Sequence, residues 1–270
     1  MNDQESWFWC REPRLSPKIK VFCFPYAGGG SSIYRDWALG QDIELYAAQL
    51  PGRESRYKEP PISSMEDMIP KITEALLEYL DTPFALFGHS MGAVIAYEAA
   101  CELKKKYGIS PVHLFVSGRA APQVNETGPD IYDLPQKTFI QRLTDLGGTP
   151  KEIIEDPIIF DFYEPMLRAD FKLNATYQFT DREKLDCSIS VLSGNKDKAV
   201  GTESLSSWRE VTTGSATFEM FEGGHFFIRH QKRQIEKLMF RTLRDHNPTL
   251  QELANGHNRT EYKWSRSKSL

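Results

Sequence analysis

The stretch Gly88-His89-Ser90-Met91-Gly92 constrains this chain more than any other. Four apolar residues, Phe84 to Phe87, run straight into it, and a helix-forming run from Ala93 to Lys106 follows at once. The pattern is strand, sharp turn, helix, with a serine at the turn. Such a turn is tight enough that the residues two before and two after Ser90 must be small, and glycine alone lets the backbone pass that close. Forced into the elbow, the Ser90 hydroxyl stands clear of the sheet. The backbone N–H of Met91, at the helix start, points to where a carbonyl oxygen would bind. A bare G-x-S-x-G arises by chance in many chains; between a strand and a helix it reads as a nucleophile elbow.

A nucleophile elbow needs a large α/β core around it, and 270 residues supply one. Apolar content is 40%, charged content 26% and formal net charge −4. That balance carries no basic excess for nucleic acid. No apolar run approaches a bilayer span, so no membrane partner is expected. The polar, acidic start is unlike a secretory signal, and the expected location is the cytoplasm. The cysteines at 10, 23, 101 and 187 are scattered with no C-x-x-C pair. Cys23 and Cys101 lie in apolar runs and read as buried thiols, so no metal ligand set is expected.

Strands are expected at Ile19–Phe24, Ile43–Gln49, Val112–Ser117, Ser188–Ser193 and Thr217–Phe221, with a short edge strand at Trp7–Trp9. Between them fall a short helix at Ile33–Leu39, an amphipathic one opened by a Ser64 capping box, and helices at Glu203–Val211 and Gln231–Arg244. Pro70 should delay the regular start of the second of these. Gly28-Gly29-Gly30 could be a phosphate cradle, but no G-K-[ST] follows. The better reading is a loop that leaves a backbone N–H facing the elbow as a second oxyanion donor. From about 119 to 186 the strand–helix alternation breaks into short helices. One is stopped by Gly147-Gly148, one opened by a Thr149–Glu152 capping box, and one opened by Asp156-Pro157 and interrupted by Pro165. This insertion lies where a lid over the elbow would sit, although its apolar residues could instead pack on the sheet. The expected organisation is one domain over 1–246, with a polar, flexible tail at 247–270.

An elbow serine needs a base, and the base needs an orienting acid. In an open parallel sheet both must lie on loops at the carboxyl ends of strands. Asp197, in Gly194-Asn-Lys-Asp197, and His225, in Glu222-Gly-Gly-His225, meet that condition. Asp181 and Asp186 precede their strand, and the other histidines fall in the elbow, a buried strand, a helix start or the tail. The chain order Ser, Asp, His is that of an α/β-hydrolase, a mostly parallel sheet flanked by helices.

Six stretches together resemble a specific family: Phe22-Cys-Phe-Pro-Tyr-Ala-Gly-Gly, Gln49-Leu-Pro-Gly-Arg-Glu54, the elbow, Gly147-Gly-Thr-Pro150, Leu167-Arg-Ala-Asp170 and Gly223-Gly-His-Phe226. The chain is similar over about 19–245 to the stand-alone type II thioesterases of nonribosomal peptide and polyketide synthases. The animal medium-chain fatty acid synthase thioesterase is a near relative. The resemblance implies hydrolysis of acyl thioesters from the phosphopantetheine arm of acyl or peptidyl carrier protein domains, clearing mis-primed or stalled groups. It implies no cofactor beyond the pantetheine that the substrate brings, and a monomer is expected. By position Ser90 is the nucleophile, His225 the base, Asp197 its orienter, and Met91 and Ala27 the oxyanion N–H donors. An esterase or lipase, or an acyltransferase, could use the same fold; the motifs at Leu50–Glu54 and Gly147–Pro150 favour the thioesterase.

Two further expectations concern substrate access. Phe139, Leu143, Phe162 and Met166 in the insertion are candidates to bound the acyl chamber. Arg53 and Arg56, in a loop at the elbow's end of the sheet, could steer an acidic carrier, or Arg53 could pair locally with Glu54 and fix the loop.

Overall fold

The computed structural model describes residues 6–124 and 130–246; the expected tail at 247–270 lies outside the described residues. The strands are β1 (Phe8–Cys10), β2 (Ile19–Phe24), β3 (Ile43–Ala48), β4 (Phe84–His89), β5 (His113–Ser117), β6 (Ser188–Gly194) and β7 (Ala216–Phe221). They form one sheet in the order β1-β3-β2-β4-β5-β6-β7. β1 pairs antiparallel with β3, and all other neighbours are parallel. The chain leaves β2 for β3 on one side and reaches β4 on the other. The loops after β2 and β4 therefore diverge, opening a crevice at the carboxyl edge, where ligands bind in such sheets.

Alternate residues of the buried strands feed two apolar layers. Phe22, Phe24, Leu86 and Leu114 face α1 (Met65–Leu77), α2 (Met91–Tyr107) and Trp208. Val21, Cys23, Phe87 and Phe115 face Tyr34, Trp37 and α7 (Lys232–His246). Both faces are thus covered by helices, the α/β-hydrolase arrangement.

Between β5 and β6 run α3 (Gln136–Leu146), α4 (Lys151–Glu155) and α5 (Pro157–Ala175); α6 (Thr202–Ser206) follows β6. Phe139, Leu143, Phe160, Met166 and Phe171 gather into an apolar cluster of their own, apart from the two layers of the sheet. Gly147 ends α3 at φ 71°, in the left-handed conformation that glycine tolerates.

Several local expectations give way. Pro165 does not interrupt α5, which runs unbroken for 19 residues, and Pro70 lies inside α1. Both prolines are on exposed faces, so the carbonyls they free, of Asp161 and Glu66, reach water instead of an N–H. No Thr149 cap forms. The N-cap position of α4 falls on Pro150, whose side chain has nothing to accept with. Asp156 does cap α5, accepting from the N–H groups of Ile158 and Ile159. The helix expected at Ile33–Leu39 is a 3₁₀ turn at Ser31–Tyr34, since the Tyr34 hydroxyl is drawn inward to donate to the Phe24 carbonyl at 2.7 Å. A second 3₁₀ turn, Ser207–Val211, completes the segment begun by α6.

Candidate active site

β4 delivers Ser90 at φ 55°, ψ −114°, an unusual conformation for a side-chain-bearing residue. Such geometry costs about 1–3 kcal/mol and persists only where its surroundings enforce it. Here the Ser90 N–H donates to the Ser117 carbonyl at 2.7 Å, and the Ala93 N–H closes on the Ser90 carbonyl at 3.0 Å. The flanking glycines have no room for more. A Cβ on Gly88 would stand 2.0 Å from the Gly92 carbonyl oxygen, and one on Gly92 2.1 Å from that of Phe24.

The loops after β6 and β7 bring in the partners. His225 Nε2 lies 3.0 Å from Ser90 Oγ, and His225 Nδ1 lies 2.8 Å from Asp197 Oδ2. The Asp197 side chain is 1% exposed, and its other oxygen accepts the Ala199 N–H at 2.9 Å. A carboxylate can only accept, so Nδ1 carries the proton and the Nε2 lone pair is left facing the serine hydroxyl. Gly194 and the glycines before His225 let these loops meet, since a Cβ on Gly194 would stand 2.5 Å from the carbonyl oxygens of Gly223 and Gly224.

A family profile described as "Thioesterase domain" matches residues 19–243. The chain belongs to the thioesterase domain family. It is 38% identical over 240 residues to the Gramicidin S biosynthesis protein GrsT of Aneurinibacillus migulanus, covering 88% of this chain and 94% of that one. It is 35% identical over 217 residues to the medium-chain S-acyl fatty acid synthase thioesterase of Rattus norvegicus, covering 78% and 81%. Among solved structures, the type II thioesterase BorB from the borrelidin biosynthetic cluster superposes with a TM-score of 0.79 at 31% identity, covering 86% of this chain and 96% of that one.

In this thioesterase Ser90, Asp197 and His225 line a cavity of about 420 Å³. Ala27 lines it too, and Leu143, Leu146 and Phe171 of the insertion roof it. Met91 takes the first position of α2, where its N–H has no partner within the helix. Of the four residues expected to bound an acyl chamber, only Leu143 reaches the cavity. Phe139 and Met166 are buried in the cluster behind that roof. Phe162 faces outward, 57% exposed, against Tyr57 at 6.0 Å. A helix turns one residue in three or four inward, and apolar character alone does not say which.

His89, beside the serine, is fully buried, its Nδ1 2.8 Å from the Ser117 hydroxyl. Burial first, then the neighbouring His225, holds it well below the ordinary imidazole range, so it stays neutral. Among the described residues no helix is long and apolar enough to cross a membrane, and no group of acidic, histidine or cysteine side chains is arranged to hold a metal ion.

The arginines correct the steering expectation. Arg56 is buried, bonded to both Glu59 oxygens at 2.7 and 2.6 Å and stacked on Trp7 at 4.2 Å. Arg53 is buried too, and its partner is Asp170, not Glu54. Neither guanidinium is exposed to meet a carrier. The glycine loop is equally informative. The Gly28 N–H goes to Asp170, while Ser31 N–H, Ser31 hydroxyl and Ser32 N–H go to Glu54. The chain's own carboxylates thus occupy the donors a phosphate would need. Asp170 was marked in the sequence only as the last residue of the Leu167-Arg-Ala-Asp170 stretch, which did not point to Arg53.

Desolvation pushes the Glu54 carboxyl up, but the bonds from Ser31 and Ser32 outweigh it and leave it below the ordinary value. A carboxyl lowered in the fold stabilises fully above its unfolded value, and that support fades as pH falls through the folded one. The melting-temperature gap between wild type and Glu54→Gln should therefore be open at pH 7 and close progressively below about pH 4.3. A gap that stays constant down to pH 3 would show that Glu54 acts by shape rather than charge.

Proposed function

We propose that this thioesterase hydrolyses acyl groups from the phosphopantetheine arm of synthase carrier proteins, clearing mis-primed or stalled chains through an acyl-Ser90 intermediate. The observation that carries the reading is the continuous line from Ser90 through His225 to Asp197 on the wall of one apolar-roofed cavity. Its relatives in gramicidin and borrelidin biosynthesis supply the synthase setting.

Ser90 Oγ attacks the thioester carbonyl carbon while its proton passes to His225 Nε2. The carbonyl oxygen becomes an oxyanion held by the N–H groups of Met91 and Ala27. As the carbonyl re-forms, the carbon–sulfur bond breaks and His225 returns the proton to the departing pantetheine thiol. Water then enters, gives its proton to His225 and attacks the acyl-serine. Collapse of that second oxyanion releases the acid and restores the Ser90 hydroxyl. Asp197 keeps the imidazole in the required tautomer and stabilises its cationic form in both halves. The steps use only this chain's own groups and water. The deciding experiment compares an acyl carrier protein with a simple ester bearing the same acyl chain. Free acid and free thiol at a higher kcat/KM from the carrier is the expected result. Preference for the ester, or transfer to an amine or alcohol in place of hydrolysis, would overturn it.

In this reading α3, α4 and the first half of α5 act as a lid, anchored by the rest of α5 from Asp170 onward. Two features support it: their apolar cluster is separate from the sheet's layers, and α3 and α4 are short helices joined through Gly147, Gly148 and Pro150, with little cooperative stability of their own. Lid amides should exchange hydrogen well before those of β4 and β5. Leu143→Ala and Phe171→Ala should shift the preferred acyl length, changing the kcat/KM ratio of neighbouring chains by roughly 10-fold, while Phe162→Ala leaves it unchanged. Lid protection equal to that of β4, with an unmoved acyl profile, would favour a rigid cap.

A further inference from the structure

We propose that the buried Arg53–Asp170 pair is the positioning device of the oxyanion hole, fixing the Ala27 N–H against Ser90. The inference rests on the acyl-serine reading above. Arg53 Nη1 and Nη2 meet the two Asp170 oxygens at 2.7 Å each, in a parallel fork. Asp170 is 0% exposed and Arg53 3%, so both ions are withdrawn from water.

What distinguishes the pair is what else it holds. Asp170 Oδ2 also accepts the Gly28 N–H at 2.8 Å, and Arg53 Nη1 also donates to the Gly29 carbonyl at 2.9 Å. The two residues after Ala27 are thus gripped at once, one by its N–H and the next by its carbonyl. Gly28 stands at φ 79°, and a Cβ there would lie 2.7 Å from a Leu167 methyl, so the turn has one conformation to take. With Gly28 and Gly29 fixed, little freedom is left in the peptide that carries the Ala27 N–H.

The competing role is plain fold stability. Buried ion pairs are poor devices for that, because desolvating two charges consumes most of their attraction, and well-packed apolar residues often do as well. A bidentate arginine, by contrast, is a rigid planar fork that sets angles as well as distances. Placement beside an oxyanion donor is where angular precision matters, since these donors act on a charge that exists only in the transition state.

Two variants test it: Arg53→Lys, which keeps the charge but not the fork, and Arg53→Met with Asp170→Leu, which replaces both ions by apolar groups of similar size. Each would be measured for hydrolysis, for binding of a non-cleavable acyl-pantetheine thioether, and for inhibition by an acyl trifluoromethyl ketone. Ser90 Oγ adds to that ketone's carbonyl carbon, its proton passes to His225, and the ketone oxygen becomes the held oxyanion. The expected result is a kcat about 10- to 100-fold lower, a parallel loss of ketone affinity, and thioether affinity within about twofold of wild type. Arg53→Lys keeps an ion pair in place and provides the folded sample if the double variant does not yield one. Unchanged kcat, or equal losses for ketone and thioether, would overturn the proposal. Failure of the ketone to modify Ser90 in the wild type would instead overturn the acyl-serine reading.

Discussion

Ser90→Ala should reduce hydrolysis of an acyl carrier protein by at least about a hundred-thousand-fold. In the proposed mechanism the hydroxyl is the atom that bonds to the acyl carbon, and it lies 3.0 Å from His225 Nε2. Folding should be almost untouched. The elbow is enforced through the Ser90 backbone, by its bonds to Ser117 and Ala93 and by the close approach of Gly88 and Gly92. The variant should still bind an acylated carrier, now without release, and mass spectrometry should find no acyl adduct on the enzyme. Turnover within tenfold of wild type, or an adduct still forming on another residue, would remove Ser90 from its role.

Asp197→Asn should cost about a thousand- to ten-thousand-fold in kcat/KM at neutral pH, somewhat less than loss of the serine. The substitution is nearly isosteric, and the Ala199 N–H can still be accepted by the remaining carbonyl oxygen. An amide nitrogen facing His225 Nδ1 is a donor, however, so the imidazole must turn its lone pair to it and carry its proton on Nε2. That proton then points at Ser90, where an acceptor is required. Little change in melting temperature is expected beside the large kinetic loss. Equal activity in the two enzymes would point to a different acid.

The elbow and the three residues of the site were legible because each rests on local sterics or chain order. Gly88 and Gly92 betray a turn that admits no side chain, and Asp197 and His225 follow strands whose ends must share one edge of a parallel sheet. The Arg53–Asp170 pair was not, since 117 residues separate its members and no periodicity links them. Arg53 and Arg56 looked like exposed loop cations for the same reason: a charged residue in a glycine- and proline-rich loop gives no sign of burial until its partner is placed. The prolines at 70 and 165 misled in the opposite direction. Their cost depends on whether the freed carbonyl faces water, which only the packed helix decides.

The single rod of α5 bears on how acyl preference could be transplanted between relatives. Its first half gives Phe160 and Met166 to the insertion's own cluster, while Leu173 near its end belongs to the main layer against the sheet. Between them Asp170 reaches the glycine loop, and just after Leu173 the Asn174 side chain meets Arg119 at 2.9 Å. A chimera cut at the outer edges of the insertion would carry these anchors away and replace them with a donor's imperfect match. Splicing within the helix, between Met166 and Asp170, would exchange the part of the roof that Leu143 and Leu146 supply and leave Phe171 and the footing native.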